Sequence, residues 1–298
     1  MITAVFLVAL LGMAALAVDL GAWSRSQRAL QARVDAAALA GAQALPYDTD
    51  TATSLAGEYA SKNGGQVAGQ SITIGTTTNP NDTIEVTANN QSQGFFAKTF
   101  GIQSVTVRAR ATAVANLIGS ARYVAPIAVN IQHPYLSGMV NGTACPCFMQ
   151  DTTLPLGKTG APGAFALLNL DGAHGGNGGQ NTLADWITNG YNEDLDLGEY
   201  FSNTGAKFDA VEIQNALAQR VANNSTLLFP VFDVLNSGGA NAMYHVIGWV
   251  GFTLTGYGVQ GNDGYISGHF TEVVWSGLAS TPGSGQPDLG ARTIRLTG

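Results

Sequence analysis

Four histidines, His133, His174, His245 and His269, are the side chains best suited to proton transfer near neutral pH. They are scattered, and no H-E-x-x-H, G-x-S-x-G or G-x-G-x-x-G motif accompanies them. His245 lies in the apolar run Met-Tyr-His-Val-Ile-Gly-Trp, where a histidine reads as a structural residue. An acid–base or metal site would form only if the strands brought Asp233, His245 and His269 together. Gly157-Lys158-Thr159 imitates the end of a phosphate-binding loop, but Thr152 stands where a glycine is required and Pro155 intrudes, so the segment reads as a turn. The run from Asp171 to Asn181 is different. Its glycines let the chain turn sharply, and Asp171, Asn177 and Asn181 offer the hard oxygens that calcium prefers. The spacing matches neither an EF-hand loop nor a full calcium-binding nonapeptide, so a plain glycine-rich loop competes with a calcium site.

Cys145 and Cys147 are the only cysteines and flank Pro146. Two thiols are too few for a four-thiolate metal site, and the spacing is not that of a redox C-x-x-C pair. In an oxidising compartment they would close a disulfide with each other or bridge subunits. Asn81, Asn90, Asn141, Asn223 and Asn224 each head an N-x-[ST] sequon open to glycosylation in an exported protein.

The elements that position these residues belong to a chain of low charge. Only 11% of its 298 residues are charged, 45% are hydrophobic and 38 are glycine, a profile that suits an exported, turn-rich β protein. Charge is divided unevenly: residues 1–122 hold 8 Lys and Arg against 7 Asp and Glu, whereas residues 123–298 hold 5 against 13. The acidic distal part would repel a phosphate backbone, which argues against nucleic acid as a partner.

Met1 to Val18 carries no charge, and 18 residues is the lower limit for a helix that spans a bilayer. Asp19 ends the run, but the helical pattern continues. Leu16, Leu20, Trp23, Gln27, Leu30, Val34, Ala37 and Gly41 follow steps of four and three, and one helix is expected as far as Leu45, stopped by Pro46. Small residues from Ala32 to Ala42 would let a neighbouring backbone approach closely. The expected assembly face is therefore Leu16, Leu20, Trp23, Leu30, Val34, Ala37 and Gly41, packed on lipid, on copies of the chain or on its own domain. If copies of the chain bundle, Met1 to Val18 would form a dry core with Asp19 and the arginines at its edge, where partner charges can pair. Ala15-Leu16-Ala17 imitates a signal-peptide cleavage site, yet no basic residue stands before it, and Arg25, Arg28 and Arg33 lie on its far side. By the positive-inside rule alone that arrangement would put the body in the cytoplasm, and it fits an exported body if a basic leader precedes Met1.

The segment LGMAALAVDLGAWSRSQRALQARVDAAALAGAQAL resembles the N-terminal signature of TadE/TadG-like proteins of tight-adherence (Tad, or Flp) pilus systems. Asp19 and Gly21 match that family's Asp-x-Gly, Leu30 and Gln31 its Leu-Gln pair, and Asp35 to Ala42 its Asp-Ala-Ala-Ala-Leu-Ala-Gly-Ala run. Residues 84–115 are similar to the strand, Phe-rich helix and Ala-rich strand that often follow. Unlike class-III prepilin peptidase substrates, which have Glu at the fifth mature position, this chain has Val5. The resemblance implies a structural protein of the cell envelope or surface whose partners are the membrane, copies of itself and other pilus components. It implies no reaction and no cofactor, calcium at residues 171–181 apart.

Beyond Pro46, Thr51 to Asn63 reads as a helix, Ser71 to Gly75 and Thr83 to Ala88 as strands, Gly94 to Gly101 as a short helix and Val105 to Ala115 as a strand with Val107, Ala109, Ala111 and Ala113 on one face. Past Tyr123 two helices interrupt a β-rich region whose longest apolar strand is Met243 to Tyr257. The expected fold is α+β and pilin-like: helix 1–45, a small α+β module 46–120 and a Gly/Asn-rich β domain 121–298. A membrane-anchored adhesive or calcium-dependent binding module is the alternative, and an envelope enzyme the third reading.

Overall fold

The computed structural model describes residues 2–64, 69–157, 165–172, 179–203, 208–236, 241–260, 263–281 and 285–297. The chain forms two compact units, Met1–Ala115 with Ile294–Gly298, and Asn116–Thr293.

The first unit is built on helix α1 (Ile2–Ala42), which tightens into i to i+3 hydrogen bonds at Gln43, Ala44 and Leu45 before Pro46 stops it. Helix α2 (Thr49–Lys62) begins at Asp48, whose carboxylate accepts from the Thr51 amide at 2.8 Å and the Thr51 hydroxyl at 2.7 Å. Alanines 52, 56 and 60 recur every four residues along α2 and are fully buried, so the two helices lie close. Gly41 makes that closeness possible. A Cβ there would stand 2.5 Å from Ile84 Cδ1 and 2.8 Å from the Ala52 carbonyl oxygen.

Strands β1 (Ser71–Gly75), β2 (Thr83–Gln93) and β3 (Ser104–Ala121) form an antiparallel meander. Between β1 and β2 the buried Asp82 accepts from the amides of Thr77, Thr78 and Asn79 at 2.7 to 2.9 Å, which fixes the turn. The meander's inner face (Ile84, Val86, Ala88, Val107, Ala109, Ala111, Ala113) packs on Leu30, Val34, Ala37, Ala38 and Ala42 of α1. The second half of the helix is thus part of this unit's core rather than a domain apart. A second difference from the sequence reading lies in the boundary, which falls inside β3 between Ala115 and Asn116, because β3 is one uninterrupted strand. The C-terminal residues return to the first unit, where the Thr297 amide donates to the Thr112 carbonyl at 2.8 Å. A pairing across 185 residues leaves no local trace in the sequence.

The second unit has β4 (Ile127–Asn130), helical turn α3 (Pro134–Ser137), β5 (Met139–Val140), β6 (Thr143–Ala144), β7 (Asp151–Pro155), β8 (Phe165–Leu167), α4 (Gln180–Asn189), β9 (Leu195–Asp196), β10 (Gly198–Phe201), α5 (Val211–Ala222), β11 (Thr226–Asn236), β12 (Met243–Gln260), β13 (Asp263–Thr271), β14 (Val273–Val274), β15 (Gly277–Ala279) and β16 (Ala291–Leu296), the last ending in the first unit. Its main sheet runs β7-β13-β12-β11-β4-β8, with β10 also on β12. The long apolar strand β12 is central and buries Phe252 between Phe229, stacked at 5.0 Å, and Phe270, edge-on at 5.2 Å. Helix plus strand-rich remainder is the α+β plan expected.

Candidate functional site

One polar stripe decides how α1 is held. Asp19, Trp23, Gln27 and Gln31 recur every four residues, and each bonds to backbone of the same unit. Trp23 Nε1 donates to the Gln93 carbonyl at 3.3 Å, Gln27 Nε2 to the Arg108 carbonyl, and Gln31 Nε2 to the Arg110 carbonyl at 2.8 Å. Asp19 works in the opposite sense. Its carboxylate accepts from the amides of Phe95 at 2.7 Å, Phe96 at 3.1 Å and Ala97 at 2.6 Å, which caps the 3-10 turn Ala97–Phe100. Burial raises its pKa, but the three amides and the Lys98 cation outweigh burial, so the group sits below its ordinary value. The Asp19 of the sequence reading, waiting at an interface edge for a partner's charge, is instead satisfied by its own unit.

From Phe6 to Leu20, α1 exposes large apolar side chains: Phe6 68%, Leu11 63%, Met13 61%, Leu16 57% and Leu20 51%. The loop that Asp19 caps exposes more, with Phe95 at 66%, Phe100 at 81% and Ile102 at 47%. Surface this apolar over this length makes the segment the candidate interaction site. The expected assembly face is thereby divided. Leu16 and Leu20 are exposed, Trp23 is half-buried, and Leu30, Val34, Ala37 and Gly41 are spent inside the unit. The polar stripe at 19, 23, 27 and 31 and the apolar exposure of Phe95, Phe100 and Ile102 are not among the expected features; the stripe's four-residue period beside the apolar seam is the available signal.

The remaining candidates do not converge on one site, although Asp233 and His245 meet. His245 Nδ1 lies 2.8 Å from Asp233 Oδ1, where a bulge in β11 turns Asp233 aside, and His269 Nδ1 lies 3.3 Å from Asp151 Oδ1. His269 pairs in register with Thr253, eight residues along β12 from His245, or roughly 26 Å at the strand rise. Asp233, His245 and His269 therefore form no common site. His133 is buried, accepts from the Tyr135 amide and has its pKa lowered by burial, a structural role. Asp171 stands in an exposed turn after β8 and Asn181 in the first turn of α4; Asn177, His174, Lys158 and Thr159 lie outside the described residues. Among the described residues no three His, Cys, Asp or Glu side chains are grouped to hold a metal. Cys145 and Cys147 are joined as a disulfide. All five sequon asparagines are exposed, and Asn81, Asn141 and Asn224 adopt positive φ, as turn asparagines do.

Residues 1–44 match the TadE/G-like Flp pilus-assembly family. The match covers α1 and ends before α2, so it lies on the helix that carries the exposed apolar surface. The likeness is to a pilus-assembly family and concerns this helix alone. No curated protein and no solved structure matches the chain. Among the described residues no helix is long and apolar enough to cross a membrane.

Proposed function

We propose that the chain is a pilus-associated structural protein of the cell surface that assembles through the first 20 residues of α1, as a pilin-like subunit or an anchor. The exposed apolar half of α1, held to a folded unit by the 19, 23, 27 and 31 stripe, carries this reading. Burying Phe6, Leu11, Met13, Leu16 and Leu20 from half or more exposure is worth about 1 kcal/mol or more each. That sum, on the order of 5 to 10 kcal/mol, is comparable to the entropic cost of association, and lipid or copies of the same helix would supply the partner.

The test uses Leu16→Glu, which alters an exposed side chain and leaves the unit's core alone. Electron microscopy of sheared surface material and detergent extraction of the envelope are the two readouts. The wild-type chain is expected in fibres or in the detergent fraction, and the variant as a folded, freely soluble monomer. A wild-type chain that is monomeric without detergent and indistinguishable from Leu16→Glu overturns the reading.

A further inference from the structure

The second unit carries a cleft of about 430 Å³, lined by Tyr123, Asp185, Trp186, Asn189, Tyr191 and Glu193 with their neighbours Gly190 and Asn192. Its size falls within the range of small-molecule sites, and its lining mixes aromatic rings with carboxylates and amides. The floor is pinned by backbone: the Tyr123 amide donates to the Tyr191 carbonyl at 2.7 Å, and the Tyr191 amide to the Val124 carbonyl at 2.9 Å.

Two conformational features serve to present Tyr123. Its φ is 57°, a left-handed conformation that an aromatic residue rarely adopts and that clusters at functional sites. Gly190, at φ 75°, lets the two segments meet, since a Cβ there would stand 2.5 Å from Tyr123 Cα. The result leaves Tyr123 43% exposed at the cleft. Tyr191 is set edge-on to the buried Trp186, centroids 5.2 Å apart, and is thereby fixed in place. Asn189 Nδ2 donates to Asp185 Oδ1 at 2.7 Å and orients that carboxylate, while Asn192 and Glu193 stay exposed.

An accessible ring on a hydrogen-bonded backbone, beside a carboxylate oriented by Asn189 and exposed Asn192 and Glu193, suits a ligand with one apolar C–H face and a rim of hydroxyls. The ring takes the face; Asp185 and Glu193 accept from hydroxyls, and Asn192 both donates and accepts. The Tyr191 hydroxyl is a neutral donor at neutral pH, as a phenol ordinarily is. Anionic ligands are disfavoured by these carboxylates and by the excess of 13 acidic over 5 basic residues from 123 to 298. Nothing in the lining offers the deep apolar pocket that a hydrophobic ligand needs.

We infer that this cleft binds a neutral saccharide. The inference concerns the second unit alone and stands or falls separately from what α1 assembles with.

Saturation-transfer NMR and calorimetry on the full chain would use lactose, maltotriose, cellotriose and chitotriose, with trigalacturonate and trilysine as anionic and cationic comparators. At least one neutral saccharide is expected to bind with a Kd between about 10 μM and a few mM. Tyr123→Asn removes the ring yet suits a positive φ, and it should weaken binding at least tenfold; Tyr123→Phe keeps the ring and should stay within about threefold of wild type. Glu193→Ala, at an exposed position, should also weaken binding with the fold intact. No binding by any neutral saccharide, binding by trilysine or trigalacturonate alone, or unchanged affinity in a folded Tyr123→Asn chain would overturn the assignment.

Discussion

Adding one methyl group should have opposite effects at two glycines of the same helix. At Gly41 a Cβ would approach Ile84 Cδ1 to 2.5 Å and the Ala52 backbone oxygen to 2.8 Å, whereas at Gly21 it would meet nothing within 4 Å. Alanine gains about 1 kcal/mol over glycine inside a helix, and this gain applies at both sites. At Gly41 it is opposed by overpacking, which costs about 1 to 3 kcal/mol and tends to the upper end here because the Ala52 oxygen belongs to the backbone of α2 and cannot rotate away. The net expectation is a loss of about 1 to 2 kcal/mol for Gly41→Ala and a gain of up to about 1 kcal/mol for Gly21→Ala. Hydrogen exchange of the α2 amides reads the result directly, because α2 is protected only while it is packed on α1. Exchange should quicken roughly 5- to 30-fold in Gly41→Ala and slow in Gly21→Ala. Equal protection of α2 in Gly41→Ala and wild type would refute the claim that a bare Cα is what lets the two helices meet.

Leu30→Ala, at a 2% exposed position, should cost about 2 to 5 kcal/mol in denaturant unfolding, while Leu16→Ala, at 57%, should change it little. The depressed pKa of Asp19 means that its contribution is present above the unfolded carboxylate value, near 3.9, and is lost as pH falls through the lower folded value. Amide exchange at Phe95 to Ala97, corrected for intrinsic rates, should therefore rise on acidification, and should not do so further in Asp19→Asn. Tyr200 carries the opposite expectation at high pH. Burial, with Asp196 and Tyr191 nearby, pushes its pKa up to about 12, so its stabilisation is complete below the unfolded value near 10 and is lost as pH rises towards 12. The difference between the unfolding midpoints of wild type and Tyr200→Phe should be constant around neutral pH and change above pH 10, where wild type loses stability and the variant is less sensitive.

Much of this architecture is local and was legible in the residues themselves. The charge-free run to Val18, the stop at Pro46, the helix read from Thr51 to Asn63 and the alternation of Val107, Ala109, Ala111 and Ala113 all depend on neighbours within a few positions, where helical and strand periods act. The Asp-x-Gly at Asp19 and Gly21 and the run from Asp35 to Ala42 pointed to the family that residues 1–44 match. Tertiary structure decided what those residues touch. Periodicity marks Leu16 and Leu30 alike as one apolar seam, but only the β2–β3 surface, brought back from more than 50 residues away, buries Leu30 and leaves Leu16 exposed. In the same way Asp19 reads as a charge at the edge of an apolar run, and its satisfaction by three amides 76 to 78 residues distant is a long-range contact with no local code. Sequence by itself determined the elements and the family of the first helix; which half of that helix faces inward was settled by the surface the rest of the chain folds up against it.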